Sequence, residues 1–487
     1  MIDTDTRGIK EGLMRQRKVM LTTVAVCFLA GAMSVLLALR EWNGWATPLL
    51  VIVPGLLTVA VIRSSVVSAA YLAQMTVYFG VTSLFLGSHW QPRLVSTVLL
   101  SALALATGTI MGGLSTRRAS TRTVPWIAGS WLEPHWSHWV MAGGLMGVSA
   151  YLSLSGGSGY EAQLIDGRST PAGVLGTLSV TGPVVTIMLL LAHMRSGTRS
   201  IGLIGFAGAQ MLVLGLSGFR GASVVFLLAL LLGAALTLPD NSVWRRKSRL
   251  VIILPVLLGL TVSTLVLGAS VKNAAATRLG VASSGTELVT LDNALLGAAT
   301  RFQLSSSLNT AIEYEHDAAA REAVSWAAQL QAVVPRVLWP EKPTVDYGQR
   351  VSVAMYGLTY GESSSTVTTI GDQLLNFGPI GLTLIGLSAG YAFRRLEDRT
   401  RSDNRGVWVF VAAVVIYTSI GLETPVVLVL IGILRNGLVA GALWAAATWI
   451  ARPQTDSVYG SMAQEREPDG GVKAWKQRGV VRRLRGV

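Results

Sequence analysis

The chain has 487 residues, of which 51% are hydrophobic and only 14% charged, with a mean hydropathy of +0.51 and a formal net charge of +14. A soluble globular domain carries about 25% charged residues, so the composition excludes one. Repeated apolar runs of about 20 residues instead place the chain in a bilayer. The spans have to be helical, because backbone polar groups in lipid must be satisfied within the segment, and the runs are continuous rather than alternating, which argues against a β-barrel. The surplus of Lys and Arg is explained by cytoplasmic loops facing anionic lipid. No motif supports a nucleic-acid partner.

In chain order, residues 1–18 are polar and basic and residues 19–39 are apolar with no small-residue cleavage site after them, which reads as an uncleaved signal anchor. The lone Cys27 lies inside that run and serves as a small apolar filler. Further apolar runs fall at 46–62, 66–86, 94–114, 138–155, 173–193, 201–217, 222–238 and 250–269, and again at 371–393, 407–422 and 425–450. With the first run this predicts an all-α, polytopic bundle of about twelve spans. Arginines test the orientation. Arg63, Arg117, Arg118, Arg122, Arg195, Arg199, Arg245, Arg246, Arg249 and five arginines from Arg394 to Arg405 fall on one side, whereas the short loops of the other side hold Arg40, Arg93, Arg168 and Arg220. The positive-inside rule then puts both termini on the cytoplasmic side. The tail 451–487 carries eight basic residues and reads as disordered and lipid-facing.

The long polar stretch 270–370 lies on the outer side in this topology, as one large external loop containing short helices. Residues 288–312, which include Arg301, read as an amphipathic helix or helix pair on the membrane surface, and Arg321–Leu330 reads as a helix. Between them Glu313–Asp317 (EYEHD) gathers carboxylates around His316, a group suited to accept a proton. Val333–Pro343 (VVPRVLWPEKP) has three prolines and a Trp, which fix a rigid extended turn presenting Arg336 and Lys342. Arg350 follows, with Gly361 after ten residues, and then Thr369–Leu382 (TIGDQLLNFGPIGL), where Asp372 and Asn376 sit one helical turn apart on one face.

Outside this loop, Arg168 lies in the glycine-rich external connector Ser155–Pro171, and Arg220 lies in the tight turn Ser217–Gly221 (SGFRG) at headgroup depth. Arg435 falls ten residues into the last apolar run, where a charge is costly and points to function. Trp126, Trp131, Trp136 and Trp139 read as an interfacial belt. His135 and His138 lie three apart in the same stretch, and interfacial packing accounts for them; the sequence shows no convincing metal cluster and calls for no cofactor.

VVPRVLWPEKP, followed by a Ser/Thr-rich stretch and IGDQLLNFGPIGL, resembles the last large external loop of Wzy-type O-antigen and exopolysaccharide repeat-unit polymerases, and SGFRG resembles the arginine-glycine turn before a middle span of those proteins. The resemblance implies a metal-independent glycosyltransferase that polymerises polyprenyl-pyrophosphate-linked oligosaccharide units, with a flippase and a chain-length regulator of the same pathway as partners. The residues fit it. Fixed cations at headgroup depth suit a pyrophosphate leaving group, and arginine binds phosphate bidentately. The expected catalytic residues are His316, Arg336, Arg350 and Asp372; the expected substrate-binding residues are Arg168, Arg220, Arg301, Lys342 and Arg435. A lipid-linked oligosaccharide flippase or other transporter, an O-antigen-ligase-like transferase and a noncatalytic envelope component are the alternatives.

Overall fold

The computed structural model describes residues 43–62, 64–82, 91–115, 132–155, 170–196, 201–217, 220–237, 259–271, 274, 304–331, 339, 347–358, 367–403 and 405–451. The expected first span 19–39, the basic tail beyond 451 and all of Val333–Pro343 except Trp339 lie outside the described residues.

Among the described residues every regular element is a helix. The first group is α1 (Asn43–Val61), α2 (Val66–Val81), α3 (Pro92–Ser115), α4 (Trp136–Leu154), α5 (Thr170–Arg195), α6 (Ile201–Leu216), α7 (Arg220–Thr237) and α8 (Gly259–Val271). Short helices follow: α9 (Leu304–Glu313), α10 (Ala318–Ala323), α11 (Trp326–Leu330) and α12 (Tyr347–Tyr356). The last group is α13 (Thr368–Ser402), α14 (Val407–Ser419) and α15 (Val426–Ala451). By length and composition α3, Leu178–Arg195 of α5, α13 and α15 are able to cross a membrane, while the other apolar helices are shorter.

The long helices α3 and α13 pack backbone to backbone. In lipid, helices gain little from hiding apolar side chains from one another, so close approach through small residues takes over that role. Here Gly108 and Gly112 on α3 face Gly386 and Gly390 on α13. A Cβ at Gly108 would strike the carbonyl oxygen of Leu387, and one at Gly390 would strike that of Leu105. At Gly386 it would meet the Ala104 methyl at 2.8 Å, and at Gly112 the Cβ of Arg394 at 3.0 Å.

Polar knots fasten the bundle at its two ends. At one end, Glu397 is fully buried on α13 and its Oε1 accepts the Ser65 hydroxyl and the Val67 N–H, both at 2.7 Å. Ser65 Oγ lies 2.9 Å from Ser68 Oγ, which accepts the Thr109 hydroxyl at 2.8 Å, so α2, α3 and α13 meet in one chain of polar groups. A carboxylate at the first turn of α2 also faces the positive end of that helix. At the same end Asp403 shapes the turn into α14 by accepting the N–H groups of Arg405, Gly406, Trp408 and Val409 at 2.7–3.2 Å.

At the other end Thr369 closes α13 onto the start of α15: its N–H donates to Leu422 O at 2.8 Å and its hydroxyl to Thr424 O at 2.7 Å. The short helices sit here, with Ala311 of α9 so close to α13 that a Cβ at Gly371 would meet its methyl at 2.8 Å. Thr368 opens α13 at φ 66°, an outlier for a β-branched residue, and its hydroxyl accepts the Gly371 N–H at 3.0 Å. Ten residues on, α13 breaks at Gly378 (φ 64°, ψ −170°), a backbone shape confined to glycine, followed by Pro379.

Candidate functional site

The candidate site is built around the first two turns of α13. Asp372 has no solvent exposure. Its Oδ2 accepts the Trp326 indole N–H and the Val426 main-chain N–H, both at 3.3 Å; its Oδ1 accepts Nε2 of Gln329 at 3.4 Å and Nδ2 of Asn376 at 3.3 Å. None of these donors is a cation. Burying a carboxylate is expensive unless hydrogen bonds replace its water, and here the replacements come from α11, α13 and α15 together.

Asn376 completes the knot. Its Nδ2 donates to Val324 O at 3.1 Å and its Oδ1 accepts the Trp326 N–H at 3.2 Å. One side-chain amide therefore bridges the gap between α10 and α11. This corrects the single helix expected over Arg321–Leu330: the chain forms Ala318–Ala323 and Trp326–Leu330 with a break at Val324 and Ser325. The Trp326 ring stands edge-on to Phe377, with ring centroids 4.3 Å apart. Tyr347 of α12 is buried beside this knot, and burial, reinforced by the Asp372 carboxylate, holds its phenol well above the ordinary tyrosine range.

The polar surface of this helical cap gathers cations. Arg93, at the start of α3, reaches Glu315 Oε2 at 3.5 Å, and Arg321 Nε donates to Glu315 O at 2.7 Å. Arg350 of α12 directs Nη2 to Glu322 O at 3.4 Å. Three guanidinium groups thus hang on the segment Glu315–Glu322. Of the EYEHD cluster, Asp317 caps α10 by accepting the Ala320 N–H at 2.8 Å and Glu315 is buried, while Glu313 and His316 are exposed. His316 is therefore a solvent-facing imidazole next to the Arg93–Glu315–Arg321 contacts. Arg93 and Arg321 were not among the expected site residues; the signal for Arg321 was its place four residues after a helix-capping Asp, and Arg93 gave none beyond its place before a span.

A groove of about 720 Å³ runs along α13 between α2, α3, α14 and α15. Thr369, Gln373 and Val426 line it near the cap, Leu105, Ile385, Ala389 and Phe393 along its length, and Arg395, Arg399 and Trp408 near the opposite end. Val426 belongs to both features: its N–H closes the Asp372 knot, and the residue lines the groove.

The remaining expected residues are scattered. Arg435 lies on an exposed face of α15 among Leu430, Leu434 and Leu438, and among the described residues it makes no ion pair. Arg220 is the first residue of α7. Arg168, Arg301, Arg336 and Lys342 lie outside the described residues, as does the Arg220 side chain. The His135 and His138 rings stack at 5.6 Å, and His138 also packs on Trp444 at 4.0 Å and lies 3.1 Å from the Thr448 hydroxyl. Trp139 donates to Nε2 of His193 at 2.8 Å, so this end of α4 is tied to α5 and α15 by packed rings.

No protein-family model matches the chain, and neither a curated protein nor a solved structure does.

Proposed function

We propose that this chain is an integral membrane glycosyltransferase that polymerises polyprenyl-pyrophosphate-linked oligosaccharide repeat units at the outer face of the cytoplasmic membrane. In this reading the Asp372 end of the bundle faces outward, the Glu397 end faces the cytoplasm, about twelve helices span the bilayer, and residues 270–370 form the external loop. The observation that supports it is one juxtaposition: a helical cap bearing Arg321, Arg350 and exposed His316, and met by Arg93 from the start of α3, is latched by Asp372 onto one end of a long apolar groove.

The chemistry follows from that placement. A sugar hydroxyl of the lipid-linked acceptor attacks the anomeric carbon of the donor chain. A carbon–oxygen bond forms there as the bond to the lipid pyrophosphate breaks. His316 takes the hydroxyl proton, and the arginines, joined by Arg336 and Lys342 of the Pro-rich turn, neutralise the charge growing on the pyrophosphate. Asp372 acts as a positioning residue, since both of its oxygens are occupied by donors that hold the cap. Arg168, Arg220, Arg301 and Arg435 complete the proposed substrate contacts. A flippase supplying the lipid-linked units and a chain-length regulator would be its partners in the membrane.

The test is a gel ladder of surface glycan from a strain lacking the protein, complemented with wild type, Arg336→Ala or Arg350→Ala. A polymerase leaves single units on the lipid carrier and loses long chains. Loss of every exported unit would instead identify a flippase, and long chains accumulating on the lipid carrier would identify an O-antigen-ligase-like transferase. An unchanged ladder in the deletion strain would remove the glycan reading.

A further inference from the structure

The inner end of the groove carries a pattern the glycan reading does not use. The last turns of α13 hold Arg394, Arg395, Arg399 and Arg401. Arg394 and Arg401 point to buried carboxylates, with Arg394 Nη2 at 2.9 Å from Asp398 Oδ1 and Arg401 Nη2 at 3.6 Å from Glu397 Oε2. Arg395 and Arg399 lie one helical turn apart, line the groove, and among the described residues pair with no carboxylate. Aromatic groups hold them instead. Arg395 donates Nε and Nη2 to the Tyr391 hydroxyl at 3.1 and 3.0 Å and lies over that ring at 5.3 Å, and Arg399 lies over Trp408 at 5.5 Å. A guanidinium stacked on a ring keeps in-plane N–H donors for an oxyanion. So one helix sorts its arginines by face: those on the packed side pair with carboxylates, and those lining the groove stand on aromatic groups.

Above these two cations the groove is apolar. Ala389, Phe393 and Ile385 line the path from Arg395 toward the middle of α13, and the ten residues from Arg395 to Ile385 rise about 15 Å. Ala389 keeps that stretch wide. A ligand with a compact anion at one end and a long hydrocarbon at the other matches both halves. We propose that this end of the groove binds an anionic diacyl phospholipid of the adjacent leaflet, its phosphate on Arg395 and Arg399 beside Trp408 and one acyl chain lying along α13 past Ala389. The site is independent of the sugar chemistry at the Asp372 end.

The experiment is native mass spectrometry of the full chain in detergent, titrated with palmitoyl-oleoyl phosphatidylglycerol or with the matching phosphatidylcholine. Wild type is expected to retain phosphatidylglycerol preferentially, and glycerol phosphate should not displace it. R395Q/R399Q should weaken retention about thirtyfold, from about 1 kcal/mol per basic residue at an anionic lipid surface. A389F leaves every charge in place and fills the groove, so it should also lose the tightly held lipid; A389L serves with the same sign if A389F does not fold. If A389F and A389L fold and retain phosphatidylglycerol as wild type does, the attraction is surface charge alone and the proposal fails. It fails equally if R395Q/R399Q binds like wild type, or if phosphatidylcholine is held as strongly as phosphatidylglycerol.

Discussion

The main-chain N–H of Val426, first residue of the last helix, donates to the buried carboxylate of Asp372 at 3.3 Å. Through that bond the start of α15 and the start of α13 share one acceptor, and Trp326 brings the helical cap to it at the same distance.

Asp372→Ala should therefore loosen the cap more than the bundle. Removing the carboxylate leaves the Trp326, Gln329, Asn376 and Val426 donors without it, at a cost of about 3 kcal/mol. Limited proteolysis should show earlier cleavage between residues 304 and 358, and the melting temperature in detergent should fall. A variant that melts like wild type and yet makes no polymer would assign Asp372 a direct chemical part.

Activity should separate His316 from Arg350. His316→Ala, at an exposed position, should leave stability unchanged and slow polymer formation by about 10²–10⁴-fold, as expected for loss of a general base. Arg350→Ala should cost about 10²–10³-fold, and Arg350→Lys should recover only part of it, because an ammonium lacks the planar fork. Chain-length distribution from purified lipid-linked substrate is the readout; equal rates for all variants would remove both residues from the site.

Gly378→Ala should destabilise by about 1–3 kcal/mol, since φ 64° with ψ −170° is closed to residues with a Cβ. Gly390→Ala should be worse, because its Cβ strikes the Leu105 carbonyl and the two long helices must separate to admit it. Thermal unfolding in detergent ranks the two; a neutral Gly390→Ala would mean that α3 and α13 do not pack this closely.

Tyr347 predicts a pH response of the cap. Its pKa is raised in the folded state by burial and then by the Asp372 carboxylate. Below the unfolded tyrosine value the phenol is protonated in both states and contributes no pH dependence. Above it the unfolded chain releases the proton and the folded chain does not, so stability falls as pH rises. Cap proteolysis should accelerate from about pH 10 upward, and Tyr347→Phe should flatten part of that rise. No difference between the two would mean that Tyr347 is not held at this depth.

The helices were legible because about 20 apolar residues in a row leave few choices in lipid. The run 94–114 is helical over Pro92–Ser115, and 425–450 over Val426–Ala451. Asp372 and Asn376 were legible as one face of one helix, because their spacing is local. The break at Val324–Ser325 was not, since the group that satisfies it, Asn376, lies 52 residues from Val324. Nor was the Arg93–Glu315 contact, which joins the start of a span to a turn far along the chain. The glycines of α3 and α13 are visible as residues, but only the facing helix shows which of them are contact points. The groove likewise is the space left by five helices and has no signature in any one of them.

A continuous helix transmits rotation: each residue added or removed turns everything beyond it by about 100°. The break at Gly378 interrupts that transmission within α13. The segment before the break, with Thr369, Asp372 and Asn376, is angularly registered by its bonds to Leu422, Thr424, Val426 and Trp326. The segment after the break is registered separately by the interlocked glycines and by Glu397. Changes in length or twist on one side of Gly378 thus need not propagate as misalignment on the other, and the polar head of this helix and its apolar shaft can vary as separate parts.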